Sequence, residues 1–110
     1  MNTYAQLDAF LGTRAQRTVP GIRSTVVVRR GTSIAVCYHN TDVVTHHVDS
    51  SFNVNSGGFR TATTKSRINA FSTARVYQKN FEWFVADGIP FVEGIVVGPT
   101  GCTTLEYMTA

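Results

Sequence analysis

The chain has 110 residues and a formal net charge of +3, and 43% of its residues are apolar while 15% are charged. This length suits one hydrophobic core and leaves little room for a second module, so we predict a single domain over residues 1–110. The composition excludes a disordered tail, and apolar runs as short as Val26–Val28 exclude a membrane-spanning segment. Met1–Leu11 contains no Lys or Arg, so we expect no signal peptide and a cytoplasmic location.

The first predicted element is an N-terminal helix over about residues 3–11. Its apolar residues recur at helical spacing along one stripe: Tyr4, Leu7, Phe10 and Leu11. We expect Thr3 to cap its start and Gly12 to end it. Residues 13–24 contain Pro20–Gly21 and three arginines, a composition that predicts a basic loop.

A sheet is predicted over residues 25–97. Short apolar runs alternate with short polar turns, and the first four predicted strands are Thr25–Arg30, Thr32–Tyr38, Thr41–Val48 and Phe52–Asn55. Strands joined by such short turns pair antiparallel, because parallel strands need long crossover connections. Within the third strand, alternation places Asp42 and His46 on one face and Thr45 and His47 on the other.

A second helix is predicted over about residues 63–72, inserted into the sheet and capped by Thr63 or Thr64. Two further strands follow it, Ala74–Lys79 and Phe81–Ala86, with Lys79–Asn80 as a hairpin turn. The predicted fold class is therefore α+β, an antiparallel meander of about five to seven strands with one helix at the start and one in the middle.

The positive charge is unevenly distributed along the chain. All ten Lys and Arg residues lie within the first 79 positions, and neither residues 14–30 nor residues 60–79 contain an acidic residue. Such segregation favours a polyanionic or acidic partner on one face, and the alternative is an ordinary solvated surface.

The segment from Ser56 to Asn69 is the strongest candidate for a binding site. Its glycines allow successive N–H groups to point at an anion, and the helix start that follows favours negative charge. The predicted phosphate- or nucleic-acid-binding residues are Ser56, Gly57, Gly58, Arg60, Thr63, Thr64, Lys65 and Arg67. The spacing is not that of a nucleotide-binding P-loop. A bulged strand end joined to a capped helix is the alternative, and it needs no ligand.

Aromatic residues lie among the basic ones, as at Tyr38, Phe59 and Tyr77. Aromatic and basic side chains on one face would suit single-stranded nucleic acid, which binds through stacking and phosphate neutralisation. The alternative is that these rings belong to the core.

His39 and His46 are the candidate catalytic residues, and they would require a common cleft near the second helix. The chain carries no signature of a known catalytic site, so an enzyme is the less favoured class. We predict no metal and no cofactor, because no spaced Cys or His pair is present. Cys37 and Cys102 do not make a disulfide framework, and Cys37 is predicted to be a buried strand residue.

Three segments of the chain form a distinctive pattern, His39–Thr45, Asn55–Thr61 and Thr63–Asn69. With Leu11–Gly12, Val76–Lys79 and Trp83, they make the chain resemble a family of small, mostly bacteriophage-encoded proteins. Two departures are Phe59, where relatives carry Trp, and Val19–Ile22, where relatives carry Asn-Asn-Thr or His-Asn-Thr. The resemblance implies a viral origin and a stage in the host cytoplasm, and it implies no activity.

These observations predict a small phage-type binding protein without catalysis, which contacts nucleic acid through Arg60, Lys65, Arg67 and the arginine-rich loop. The alternative is a protein-interaction module that engages an acidic surface of a host protein. A small enzyme acting on a phosphorylated substrate is the third possibility. An exposed sheet edge could also pair two copies of the chain.

Overall fold

The structure, a computed structural model, describes residues 1–86 and 88–98. It contains two helices and two antiparallel sheets, which confirms the predicted α+β class. The helices are α1 (Tyr4–Leu11) and α2 (Ala62–Ala70). The strands are β1 (Gln16–Thr18), β2 (Thr25–Arg30), β3 (Ser33–Tyr38), β4 (Thr41–His46), β5 (Phe52–Val54), β6 (Val76–Lys79), β7 (Glu82–Val85), β8 (Ile89–Pro90) and β9 (Ile95–Val97).

The strands form two sheets where the sequence predicted one. Six strands make the larger sheet in the order β1-β2-β3-β4-β5-β9, and β6-β7-β8 make the smaller one. The meander from β2 to β5 follows chain order as predicted. After α2, β6 pairs with β7 instead of rejoining the meander, and β9 alone returns to it beside β5.

Helix α1 begins and ends as its sequence predicts. The Thr3 hydroxyl accepts a hydrogen bond from the Gln6 amide at 3.2 Å, and Gly12 ends the helix at a positive φ of 59°. Leu7 and Leu11, one turn apart, are both buried. The helix therefore covers the larger sheet with its apolar stripe.

The prediction of a basic loop over residues 13–24 is partly wrong, because Gln16–Thr18 forms the edge strand β1. It pairs with the valine-rich β2, with Arg17 opposite Val27. The strand is too short and too polar to show a strand pattern by itself, and pairing to its neighbour defines it.

A bulge in β4 overturns the predicted faces of that strand. The register with β3 shifts between Val36 and Cys37, so Asp42 lies opposite Cys37 while Thr45 lies opposite Ala35. Because Cys37 and Ala35 share a face, Asp42 joins Thr45 and leaves His46 on the other face. Cys37 itself is half-buried rather than buried, and Cys102 lies outside the described residues.

Helix α2 begins at Ala62, so its cap comes before the predicted Thr63 or Thr64. Thr61 is the cap, and its hydroxyl accepts a hydrogen bond from the Thr64 amide at 3.2 Å. Thr64 and Ile68, one turn apart, are the buried residues of the helix. The predicted turn of the following hairpin also shifts by one residue, to Asn80–Phe81.

One hydrophobic cluster joins the two sheets and both helices. It includes Leu7 of α1, Ile68 of α2, Val36 and Val44 of the larger sheet and Val85 of the smaller one. Neither helix of the described residues is long and apolar enough to cross a membrane.

His46 attaches the end of α2 to the larger sheet. Its Nε2 donates a 2.7 Å hydrogen bond to the carbonyl oxygen of Phe71, the residue that follows the helix, and its ring lies 5.2 Å from that of Phe52. Burial lowers the pKa of His46 below its ordinary value; the bond to Phe71 opposes this effect and the neighbouring His47 adds to it. His46 is thus a neutral, buried link between elements.

This environment predicts acid sensitivity at His46. In the unfolded chain His46 takes up a proton as the pH falls below about 6.5, whereas in the folded chain its lowered pKa opposes protonation. The contribution of His46 to the free energy of unfolding is therefore fully present above about pH 6.5 and decreases below it. We expect the free energy of unfolding to drop by up to about 1 kcal/mol between about pH 7 and about pH 5.5, as measured by chemical denaturation. The control is His46→Gln, which keeps an N–H donor but cannot titrate. An equal pH dependence in both proteins would contradict the assignment.

Candidate functional site

The Ser56–Gly58 turn, which follows β5, binds a carboxylate of the chain itself. Ser56 donates to Glu93 through its amide at 3.0 Å and its hydroxyl at 2.6 Å, and the Gly58 amide donates to Glu93 at 3.1 Å. Both glycines have positive φ, 65° at Gly57 and 84° at Gly58. The turn therefore binds an anion through its backbone amides, and that anion is Glu93 of the chain itself.

These contacts favour the ionised form of Glu93. Burial by itself would raise the pKa of this carboxyl group, but the bonds from Ser56 and Gly58 and the positive charge of Arg60 outweigh it. The pKa of Glu93 is therefore lowered below its ordinary value. Sequence reasoning missed Glu93, because it lies 37 residues beyond Ser56 and carries no local signal.

Gly57 is required by a close approach of the turn to the start of β4. A Cβ at this position would overlap the Thr41 hydroxyl and lie 2.9 Å from the Thr41 Cγ2. Gly58 faces open space, with nothing within 4 Å of a Cβ. The two glycines thus have different roles, since Gly57 permits packing and Gly58 permits only the backbone conformation.

A pocket of about 480 Å³ opens between this turn, the start of α2 and the β3–β4 turn. It is lined by Tyr38, His39, Asn40, Thr41, Ser56, Phe59, Thr61 and Thr64. The ring of His39 lies 4.4 Å from that of Tyr38 on one side, and Phe59 is 69% exposed on the other. The pocket therefore combines aromatic rings with hydroxyl and amide groups, a common lining for small-ligand sites.

Two cations lie on the other side of the α2 start, against the smaller sheet. The Arg60 guanidinium lies 5.2 Å from the centre of the Phe91 ring and 6.0 Å from that of Trp83. The Lys65 ammonium lies 5.9 Å from the Trp83 ring. Both charges are held over aromatic faces, which attract cations without neutralising them.

A third cation lies beside the pocket. The Arg67 guanidinium is 5.4 Å from the centre of the Tyr38 ring, and its Nε donates to the Thr25 hydroxyl at 3.2 Å. Within residues 1–86 and 88–98 there are two salt bridges, Arg29–Asp8 and Arg30–Asp42, and neither includes a cation of this region. Arg60 precedes α2, Lys65 lies within it and Arg67 lies in its last turn. We call these three residues the cation cluster.

Two arginines of the segment from Arg14 to Arg30 make contacts elsewhere. Arg17 donates to the Phe10 carbonyl oxygen at 2.9 Å and lies 4.3 Å from the Phe10 ring, and Arg29 bridges to Asp8. These arginines hold α1 against the larger sheet. Arg17 and Arg29 therefore do not belong to the cation cluster.

The structure brings together most of the predicted binding residues but not the two candidate catalytic histidines. Ser56, Thr64 and His39 line the pocket. His46 lines a different cavity, next to Tyr4 and Phe52, and no residue lines both. Thr63 is exposed on α2. Among the described residues no group of three or more His, Cys, Asp or Glu side chains could hold a metal ion.

The fold and this site define a small α+β protein with an aromatic pocket and a cation cluster along α2. The chain belongs to the Kyanoviridae Gp96 protein family, whose model matches residues 7–98. The match confirms a phage-encoded family. Comparison with curated proteins and with solved structures gave no match.

The Glu93 carboxylate should stabilise the fold in a pH-dependent way. Because its folded pKa is lowered, its contribution is present above its unfolded pKa of about 4.3 and is lost as the pH falls through the folded value. We expect Glu93→Gln to lower the free energy of unfolding at neutral pH by roughly 1 kcal/mol, since solvent partly screens the charge-assisted bonds. Thermal melts at about pH 7 and about pH 3 test this, and the difference between the two proteins should become smaller at the lower pH.

Matched glycine variants test the packing of the turn. Gly57→Ala combines a positive φ with overlap on Thr41, so we expect it to cost about 2–3 kcal/mol. Gly58→Ala carries only the backbone penalty and should cost about 1 kcal/mol. Urea denaturation measures both, and equal losses would contradict the close approach at Gly57.

Proposed function

We propose that this protein binds single-stranded nucleic acid across the start of α2, without catalysis. A base would occupy the pocket beside Phe59, and phosphates would contact Arg60, Lys65 and Arg67. The observation that carries the proposal is the cation cluster, in which three positive charges are held over aromatic rings, one of which, Tyr38, also lines the pocket.

Electrostatics support a polyanion at this place. The three cations lie before and along α2, and the helix dipole also favours negative charge at its start, next to Arg60. Between them the exposed residues of α2 are small and uncharged, namely Ala62, Thr63 and Ser66. A phosphate backbone could therefore approach the helix closely, with hydroxyl groups as additional hydrogen-bond donors.

The pocket supports an unpaired base rather than a duplex. Its volume of about 480 Å³ is within the usual range for small-molecule sites. Phe59 offers an exposed ring for stacking, and the side chains of Asn40 and Thr41 offer hydrogen bonds to a base edge. Paired bases cannot enter such a pocket, so single strands are the favoured ligand.

Ser56, Gly57 and Gly58 have a supporting role in this proposal. The Ser56 and Gly58 amides bond to Glu93, so phosphate contact is assigned to the side chains of the cation cluster instead. The turn positions Phe59 and Arg60, which follow it directly.

The test is a titration with short fluorescent single- and double-stranded DNA and RNA at about 50 and about 200 mM salt. We expect salt-sensitive binding that is tighter for single strands. Lys65→Ala/Arg67→Ala should weaken it for all sequences alike and make the slope of log K against log salt shallower by about 1.4.

Matched single variants separate local contact from general charge. Lys65→Ala and Arg14→Ala each remove one positive charge, but Arg14 is exposed near the end of α1, outside the cation cluster. We expect the first to weaken binding and the second to leave it nearly unchanged. Absence of binding at low salt would reject the proposal and direct the search to an acidic host protein, which pull-downs from nuclease-treated host lysate would detect.

A further inference from the structure

The tip of the β6–β7 hairpin carries an unusual residue. Lys79 pairs with Glu82, so Asn80 and Phe81 form a two-residue turn. Both have positive φ, 52° and 66°. Such turns strongly favour Asn followed by Gly, because the second position penalises any residue with a Cβ. Asn80 fits that preference and Phe81 does not.

Packing does not explain Phe81 either. Its side chain is 94% exposed, more than any other large hydrophobic residue in the described part of the chain. The sequence therefore places an aromatic ring where both the backbone and water disfavour it. A contact made outside the folded chain would account for both features.

The surroundings of the ring indicate what it contacts. Trp83 lies in β7, two residues after Phe81, and Arg60 and Lys65 lie over its ring. The hairpin tip therefore extends from the sheet that contacts part of the cation cluster. The residues beside the ring, Lys79, Asn80 and Glu82, are polar and exposed. A protein-binding hot spot is usually surrounded by further packed contacts, whereas one isolated projecting ring suits a stacked base.

We propose that Phe81 is a second stacking site, on which an unpaired base of the bound strand rests. The inference depends on the proposed nucleic-acid function and extends it. The strand would run from the pocket at Phe59, across the start of α2 and past Trp83 to the hairpin tip. The ligand would thus be a single strand several nucleotides long rather than a free nucleotide.

The decisive variant is Phe81→Gly. Glycine relieves the positive φ, so the variant should be at least as stable as the wild-type protein in urea denaturation. Its affinity for single-stranded oligonucleotides should nevertheless fall about five- to a hundredfold, the effect of losing one stacked base. Phe81→Asn is a second variant that tolerates the same backbone conformation, and it should behave alike.

A spectroscopic signal checks the contact directly. Phe81→Trp keeps an aromatic ring, so its affinity should stay near the wild-type value. Its fluorescence should be quenched on binding an oligonucleotide beyond the change that Trp83 gives in the wild-type protein.

The failures are distinguishable. If wild-type protein binds single strands and Phe81→Gly binds them equally well, the stacking site is rejected while the nucleic-acid function stands. The exposed ring of Phe81 would then be interpreted as a contact for a protein partner instead. If the wild-type protein binds no nucleic acid, the proposed function and this inference are both rejected.

Discussion

The charge-assisted bonding of Glu93 to the Ser56–Gly58 turn is the interaction on which the site depends. It joins the end of β5 to the segment before β9 and fixes the backbone that leads through Phe59 and Arg60 to the Thr61 cap. Because the anion is part of the chain, this geometry does not need a bound ligand. The pocket wall and the first turn of α2 are therefore ordered by contacts within the chain.

Aromatic rings take the place that carboxylates usually have beside arginine and lysine. Trp83, Phe91 and Tyr38 restrict the three cations through cation–π contacts. A salt bridge would order the same side chains but would cancel their charge. Stacking does not cancel the charges of Lys65 and Arg67, whereas the charge of Arg60 also acts on the Glu93 carboxylate. Under the proposed function, this arrangement would leave positive charge available to an external anion.

The sequence predicted well those features that local patterns determine. The spacing of Leu7 and Leu11 identified α1, and Thr3 and Gly12 identified its caps. Short polar turns identified the meander. The features it missed depend on distant partners. The polar strand β1 exists because β2 offers it an edge, and the division into two sheets reflects which strands are free to pair after α2. Glu93 and the rings under the cations are likewise brought to the site by the tertiary fold. The cap of α2 was misplaced because several threonines there satisfy the same local rule.

The pairing of β5 with β9 has a consequence for the order of folding. The strands β2 to β5 are neighbours in sequence as well as in space, so each hairpin closes a short loop, whereas Asn53 must find Val96 across most of the second half of the chain. Long loops cost more entropy to close, so we expect this pairing to form late. Glu93 reaches the Ser56 turn only through that step. A chain still emerging from the ribosome would thus possess its meander before its site, and the turn at Ser56 would gain its Glu93 contacts only once the last strand had joined the sheet.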